Sequence, residues 1–393
     1  MADIGVLRPP ARILFGEGCV AALGDVVAPH GRRVLVCTDG FLARTAHCET
    51  VVAALRAAGL DVTVLDATQP ELPSDTVAAA ADAAAAAAPD CIVGFGGGSC
   101  IDMAKLLALA LTVEEPLDRF YGESEVPSST VPVIAVPTTA GTGSEATPVA
   151  VLTDAGRGTK VGISSPYLVP RAAVCDPLLT HGVPPALTAH AGIDALAHAV
   201  EAYTAIARDD WRDIAPRVFV GRNVLSAGFA LEAIRLVSRA LPAAVHDDRR
   251  AREAMLRGSL CAGLAFGSAG TALAHALQYP IGAMSKTPHG LGIGLLLPYV
   301  MQFNVSACPE LFVDVAHAMG VEDAPAAVLR LGREIGLPTS LRDIGIDEAS
   351  LPAIAAEALG IARLVDNNPR PATRDDLERI LRAACRGELP SAV

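Results

Sequence analysis

At 393 residues the chain is longer than one hydrophobic core supports, about 250 to 300 residues, so two domains are expected. Its 51% hydrophobic and 19% charged residues are those of a soluble globular protein, and a formal net charge of −12 repels phosphate backbones, which removes nucleic acid from the expected partners. The strongest basic cluster, Asp247-Asp-Arg-Arg-Ala-Arg252, is short and reads as a solvated helix face.

The nine cysteines (19, 37, 48, 91, 100, 175, 261, 308 and 385) are odd in number and form no Cys-x-x-Cys pair, which argues against a disulfide framework or a thiolate zinc site. The segment Met1-Ala-Asp-Ile-Gly5 lacks a basic region followed by an apolar core. The longest apolar runs are broken by Gly, Pro or charge well short of the roughly 18 to 20 residues a membrane span needs. A reduced, cytoplasmic enzyme without a membrane partner is expected.

Beyond Arg12-Ile-Leu-Phe-Gly16, the first clear strand is Val34-Leu-Val-Cys-Thr38, which ends in Asp39-Gly40. An acidic group at a strand's carboxyl end in a nucleotide-binding sheet accepts hydrogen bonds from the ribose hydroxyls and repels a 2′-phosphate, so Asp39 favours NAD over NADP. An isolated Asp-Gly is otherwise a plain turn. Helix over 48–58, strand over 61–65, helix over 75–88 and strand over 91–95 then alternate, predicting a parallel sheet. The alanine run 78–88 is read as helix rather than linker, because Ala has the highest helix propensity.

Strand 91–95 runs into Gly96-Gly-Gly-Ser-Cys-Ile-Asp-Met-Ala-Lys105. Glycines allow a backbone to approach a pyrophosphate, and the free N–H groups and positive dipole end of the next helix attract it, so this stretch is a phosphate cradle. Ser99 and Asp102 also have the spacing of a capping box, which would hold the cradle in place. The pattern is neither Gly-x-Gly-x-x-Gly nor a P-loop. Strand Pro132-Val-Ile-Ala-Val136 opens into Pro137-Thr-Thr-Ala-Gly-Thr-Gly-Ser-Glu145, a second Gly-rich loop at the ligand-binding edge of the sheet. Residues 149–163 read as a β-hairpin, and Ala172-Ala-Val-Cys-Asp176 closes the first half.

From about residue 183 helical periodicity dominates, over 187–205, 213–241, 249–265, 290–303 and 374–385. The expected domains are therefore an α/β domain, 1–180, and an all-α domain, 181–393; no internal repeat is visible. In Gly192-Ile-Asp-Ala-Leu-Ala-His-Ala-Val-Glu-Ala-Tyr203, Asp194 and His198 share one helical face. One carboxylate and one imidazole a turn apart make half of a divalent-metal site, although alone such a pair more often serves solvation or local pairing. His275, in Thr271-Ala-Leu-Ala-His-Ala-Leu-Gln-Tyr279, and His289, in Lys286-Thr-Pro-His-Gly290, are the further candidates.

Taken together, these segments resemble the iron-containing (group III) alcohol dehydrogenase family. The likeness is collinear through Gly96-Gly-Gly-Ser with Asp102 and Lys105, the loop 137–145, Gly192-Ile-Asp194 with His198, Pro288-His289-Gly290, and Asn368-Pro-Arg370-Pro371. It implies a Rossmann-like N-terminal domain with a parallel sheet and a helical C-terminal domain, the dehydroquinate synthase-like architecture. It also implies metal ligation by Asp194, His198, His275 and His289, a donor set that suits Fe²⁺ or Zn²⁺. By the same resemblance Gly96, Gly97, Gly98, Ser99 and Asp102 hold the pyrophosphate and nicotinamide side of NAD, and Thr138, Thr139 and Thr142 line the rest. The implied reaction moves a hydride between a primary or secondary alcohol, or its aldehyde or ketone, and NAD(H), in a homodimer.

One residue departs from the pattern: many members carry a second histidine four residues after the first of the late pair, and here Tyr279 stands in that place. Tyrosine is a poorer proton carrier than histidine near neutral pH. It also resembles the hydroxyacid–oxoacid transhydrogenase branch, which keeps its cofactor bound; an aromatic that merely lines the site is the plainer alternative. A dehydroquinate-synthase-type lyase and a metal-free maleylacetate reductase are disfavoured by four intact ligands. The other histidines (30, 47, 181, 190, 246 and 317) match no motif. Residues 266–271 and the helix after Gly290 are small and apolar, which suits a short or unbranched substrate and names none.

Overall fold

The computed structural model describes residues 4–390 except 124 and 127. The chain divides into an α/β unit, Arg8–His181 with Pro216–Val218, and a helical unit, Gly182–Ala215 and the chain from Phe219 onward with the N-terminal residues through Leu7.

The α/β unit contains β1 (Arg12–Phe15), β2 (Arg33–Asp39), β3 (Asp61–Thr68), β4 (Cys91–Gly96), β5 (Gly122–Glu123), β6 (Val133–Pro137), β7 (Val149–Asp154), β8 (Thr159–Ser164) and β9 (Ala172–Cys175). Its helices are α1 (Leu23–Val27), α2 (Ala46–Ala57), α3 (Ser74–Ala87) and α4 (Gly98–Ala110). Six strands pair in the order β1-β9-β6-β4-β2-β3, all parallel. A parallel sheet covered on both faces needs strands that are apolar at every position. In β2, accordingly, Val34 and Val36 pack with α1 and α2, whereas Leu35 and Cys37 join the cluster built on α3 and α4. Each such fully buried aliphatic side chain stabilises the fold by roughly 1.5–3 kcal/mol. Strands β7 and β8 form the expected antiparallel hairpin, and β5 joins β8 in a second, three-stranded sheet.

The helical unit comprises α5 (Pro185–Thr204), α6 (Trp211–Ile214), α7 (Val224–Val245), α8 (Arg249–Ala269), α9 (Leu273–Ser285), α10 (His289–Asn304), α11 (Pro309–Met319), α12 (Ala324–Glu334), α13 (Leu351–Leu359), α14 (Ala362–Val365) and α15 (Arg374–Arg386). Helix α5 is central, packed against α7, α8 and α10 and buried from Gly192 to Thr204.

The single helix expected over 213–241 is two helices. Pro216 has no amide to continue α6. Downstream, the Arg222 amide donates to Ile206 O, and Asn223 opens α7 with a capping box closed by Ser226. Hydrophobic periodicity does not register these stop and start signals. Within the stretch between them, Pro216–Val218 belongs to the α/β unit, where the Val218 amide donates to Glu123 at 2.8 Å and Arg8 donates to the Val218 carbonyl at 2.9 Å. Among the described residues no single helix is long and apolar enough to cross a membrane, and all nine cysteines are free.

Candidate active site

Two groups of residues have the makings of a site, one in each unit. In the helical unit, ligand atoms of Asp194, His198 and His275 lie within 4.8 Å of one another. Asp194 Oδ1 is 3.7 Å from His198 Nε2, 3.6 Å from His275 Nε2 and 3.9 Å from His289 Nε2. Tetrahedral ligands about 2.0–2.2 Å from one ion stand about 3.3–3.6 Å apart, so these atoms are spaced to surround a cation. Asp194 Oδ1 and His275 Nε2 are buried and find no hydrogen-bond partner among the described residues, a costly state for polar atoms unless something else binds them. One carboxylate and three imidazoles are donors that Fe²⁺ or Zn²⁺ accepts, and the set fits such an ion.

The surrounding helices explain the convergence. Asp194 and His198 project from one face of α5, as their spacing requires. His275 is the third residue of α9, and His289 is the first of α10, after a turn that starts at Lys286 in the left-handed region and carries Ser285 Oγ bonded to Thr287 Oγ1. Gly290 permits the approach of α10 to α5: a Cβ there would stand 2.1 Å from His190 O and 3.2 Å from Asp194 Cβ. Phe266 stacks on His198 at 4.2 Å, and His198 on His275 at 4.9 Å, fixing both rings. His289 is the open member, its side chain 23% exposed against 4–7% for the other three. Tyr279 faces it, with ring centroids 6.2 Å apart.

Burial opposes ionisation of Asp194, but His198 and the other two imidazoles hold its carboxyl well below the usual carboxylate range. Burial likewise disfavours a cationic His275, yet Glu201 and Asp194 raise it to about 9.

Glu201 and Asn367 are assigned no role in the sequence reading, and Asn368 enters it only within the Asn-Pro-Arg motif. Glu201 follows His198 by three residues and Asp194 by seven, a helical spacing that could have flagged it. Asn367 Nδ2 donates to Ala269 O and Thr271 O, bracing the break between α8 and α9. Asn368 exchanges amide hydrogen bonds with Asn304 at 2.8 Å in each direction. The Asn-Pro-Arg motif is thus a brace inside the helical unit; Arg370 caps it by donating to Phe303 O.

In the α/β unit the two Gly-rich loops follow adjacent parallel strands, with Gly96 beside Pro137 and the Thr138 amide donating to Gly96 O at 2.9 Å. Gly98 lies so close to the second loop that a Cβ would stand 2.5 Å from Thr142 Cγ2, and one at Gly97 would stand 3.3 Å from Thr139 Oγ1. Thr139 and Thr142 are half-buried beside the glycines, whereas Thr138 is 3% exposed. Helix α4 starts at Gly98 with no side-chain cap, which leaves its first-turn amides to a ligand or solvent.

The capping box expected from Ser99 and Asp102 is absent: Ser99 is already inside the helix, and Asp102 instead accepts from Ser144 Oγ and from the Val151 amide at 3.0 Å. Asp102 thereby ties α4 to the second loop and to the hairpin. Helix α4 also carries the buried Lys105, which donates to Thr147 O at 2.9 Å and Val149 O at 2.8 Å; burial lowers it to about 8. Asp39 stands at the end of β2 and is partly exposed; its Oδ1 accepts from the amides of Phe41 and Leu42, and Cys100 Sγ donates to Oδ2.

Comparison with known proteins gives the family of the chain. Residues 10–177 match the iron-containing alcohol dehydrogenase family, and residues 188–385 match the C-terminal family of Fe-containing alcohol dehydrogenases. The chain is 34% identical to the NAD-dependent methanol dehydrogenase of Bacillus methanolicus, over 96% of this chain and 98% of that one. It is 33% identical to the lactaldehyde reductase of Escherichia coli K12, over 94% and 97% of the two chains. The crystal structure of a 1,3-propanediol oxidoreductase superposes with a TM-score of 0.90 at 33% identity, covering 97% of this chain and all of that one. With both halves matched and near-complete relatives above 30% identity, this protein belongs to the iron-containing alcohol dehydrogenase family.

Proposed function

We propose that the protein is an NAD(H)-dependent alcohol dehydrogenase or aldehyde reductase, requiring Fe²⁺ or Zn²⁺ and acting on a small substrate. The observation that carries this reading is the buried, unpartnered Asp194 Oδ1 with three imidazole nitrogens 3.6–3.9 Å from it. Asp194, His198, His275 and His289 would hold the metal; the amides of Gly97, Gly98 and Ser99, with Thr139 and Thr142, would hold the pyrophosphate; Asp39 would favour NAD over NADP. When bound, the metal supplies Lewis acidity toward an alcohol or carbonyl oxygen, and NAD(H) accepts or delivers the hydride.

The chain's own residues supply the setting. Phe266 excludes water from one face of His198, and the burial of Asp194, His198 and His275 removes solvent that would screen their charges. Tyr279, partly exposed beside the open His289, can hold a proton at its phenolic oxygen. The relatives named for methanol, lactaldehyde, 1,3-propanediol and long-chain alcohols support an alcohol or aldehyde substrate here too, while the small, apolar residues 266–271 favour a short one. Nine free thiols suit the reducing cytoplasm, and a homodimer completes the proposal.

Elemental analysis followed by a panel of short alcohols and aldehydes, read by NADH absorbance, tests it. The expected result is bound iron or zinc and NAD-linked turnover of at least one short substrate. Metal-loaded protein that neither binds NAD(H) nor turns over any panel member overturns it. Exchange between a hydroxyacid and a ketoacid without added NAD would instead identify a transhydrogenase.

A further inference from the structure

Glu201 lies on the same face of α5 as Asp194 and His198, and only 4% of it is exposed. A carboxylate so deeply buried is costly unless fully engaged, and this one is. Its Oε2 accepts from His275 Nδ1 at 2.5 Å and from the Ala272 amide at 2.9 Å, and its Oε1 accepts from the Ala274 amide at 2.7 Å. Helix α9 has no side-chain cap from its own N-cap residue, Ala272, so Glu201 caps it from another helix. An ionised carboxylate only accepts hydrogen bonds. His275 Nδ1 therefore carries a hydrogen, and Nε2 is the nitrogen turned toward Asp194 Oδ1, 3.6 Å away, with no hydrogen-bond partner of its own.

We propose that Glu201 is the positioning residue of the metal site: it fixes the Nδ1–H tautomer of His275, aims Nε2 at the ion, and supplies the second negative charge that makes the buried site neutral around a divalent cation. Two carboxylates, three neutral imidazoles and one doubly charged ion sum to zero; without Glu201 the same assembly is left with a positive charge in a buried place. A carboxylate behind a ligating histidine typically changes metal affinity by about 10- to 100-fold when lost. The proposal rests on the metal reading above and narrows it from four ligands to how one of them is held.

A cap that merely stabilises α9 would have a different signature, because Asn367 braces the same helix break from the other side without touching a ligand. The experiment compares wild type, Glu201→Gln, Glu201→Asp and Asn367→Ala. Zn²⁺ affinity is measured by competition with a chromogenic chelator, Tm by calorimetry, and the His275 Nδ1–H signal by NMR of metal-free protein labelled with ¹⁵N-histidine.

Glu201→Gln is expected to weaken Zn²⁺ binding about 10- to 100-fold and to lose the Nδ1–H signal, with Glu201→Asp recovering part of both. Asn367→Ala is expected to lower Tm while keeping Zn²⁺ affinity within about three-fold. Unchanged affinity in Glu201→Gln, or an equal loss in Asn367→Ala, overturns the proposal. If Glu201→Gln does not fold, Glu201→Asp carries the comparison, and wild-type affinity together with an unshifted Nδ1–H signal in that variant overturns it. Wild-type protein that binds no Zn²⁺ refutes the metal reading itself, and the Nδ1–H signal in metal-free protein then decides the His275–Glu201 pairing alone.

Discussion

The α/β unit and the helical unit carry their candidate sites in different materials. The cradle in the first is made of main chain: an uncapped helix start at Gly98 and glycines whose missing Cβ atoms leave room for Thr139 and Thr142. The cluster in the second is made of side chains, Asp194, His198, His275 and His289, delivered by three helices onto one carboxylate oxygen. A main-chain site tolerates many substitutions and fails where a Cβ intrudes, whereas a side-chain site fails wherever a donor is lost.

A buried glutamate in each unit repeats the contrast. Burial resists ionisation of Glu201, but His275 and two backbone amides overcome it and hold its carboxyl below the usual range. Glu145, 1% exposed, has an Oε1 with no hydrogen-bond partner among the described residues, and burial raises it to about 7. Similar depth with different partners shifts the two carboxyls in opposite directions.

Substitutions in either unit test this contrast. Asp194→Ala removes the oxygen at the centre of the cluster, and turnover is expected to fall by about three orders of magnitude or more while NADH binding, read by fluorescence, persists. Gly98→Val places carbon where Thr142 already is; NADH affinity is expected to fall about ten-fold or more with Zn²⁺ affinity unchanged. Loss of both affinities in either variant would erase the distinction between the two materials.

Glu145→Gln tests the buried acid through stability. Its folded pKa lies above the unfolded value, so its contribution is fully present at low pH and is lost as pH rises through about 7. Between pH 5 and pH 8, denaturant titration should find wild type losing roughly 2–3 kcal/mol relative to the variant. A difference independent of pH would mean that Glu145 is charged throughout that range. The smallest effect belongs to Tyr279→Phe, expected to lower turnover roughly 3- to 10-fold with metal content intact; unchanged turnover across the pH range would leave Tyr279 no part in proton transfer.

The parallel sheet is legible because strands buried on both faces carry runs that are apolar at every position, as Val34–Cys37 of β2 and the whole of β4 and β6 do. Asp194 and His198 were legible as neighbours because helical spacing is local. Their convergence with His275 and His289 is not local: it depends on the turn at Lys286 and on Gly290 lying against His190, and only the collinear motifs of a family hinted at it. Helix α9, interrupted in sequence by Pro280 and Gly282, gave no periodic signal although it carries His275. The break at Pro216 is marked locally, by a proline and by the Asn223–Ser226 capping box that hydrophobic periodicity passes over, whereas the task of Asp102 is settled by partners distant in sequence, Ser144 and Val151.

The central claim is that four side chains of the helical unit make one divalent-metal site, and titration of metal-free protein with Zn²⁺ tests it most directly. Wild type should bind one ion per chain tightly, and His275→Ala should bind at least about a hundred-fold more weakly while keeping its fold. Equal Zn²⁺ affinity in the two proteins would contradict the account.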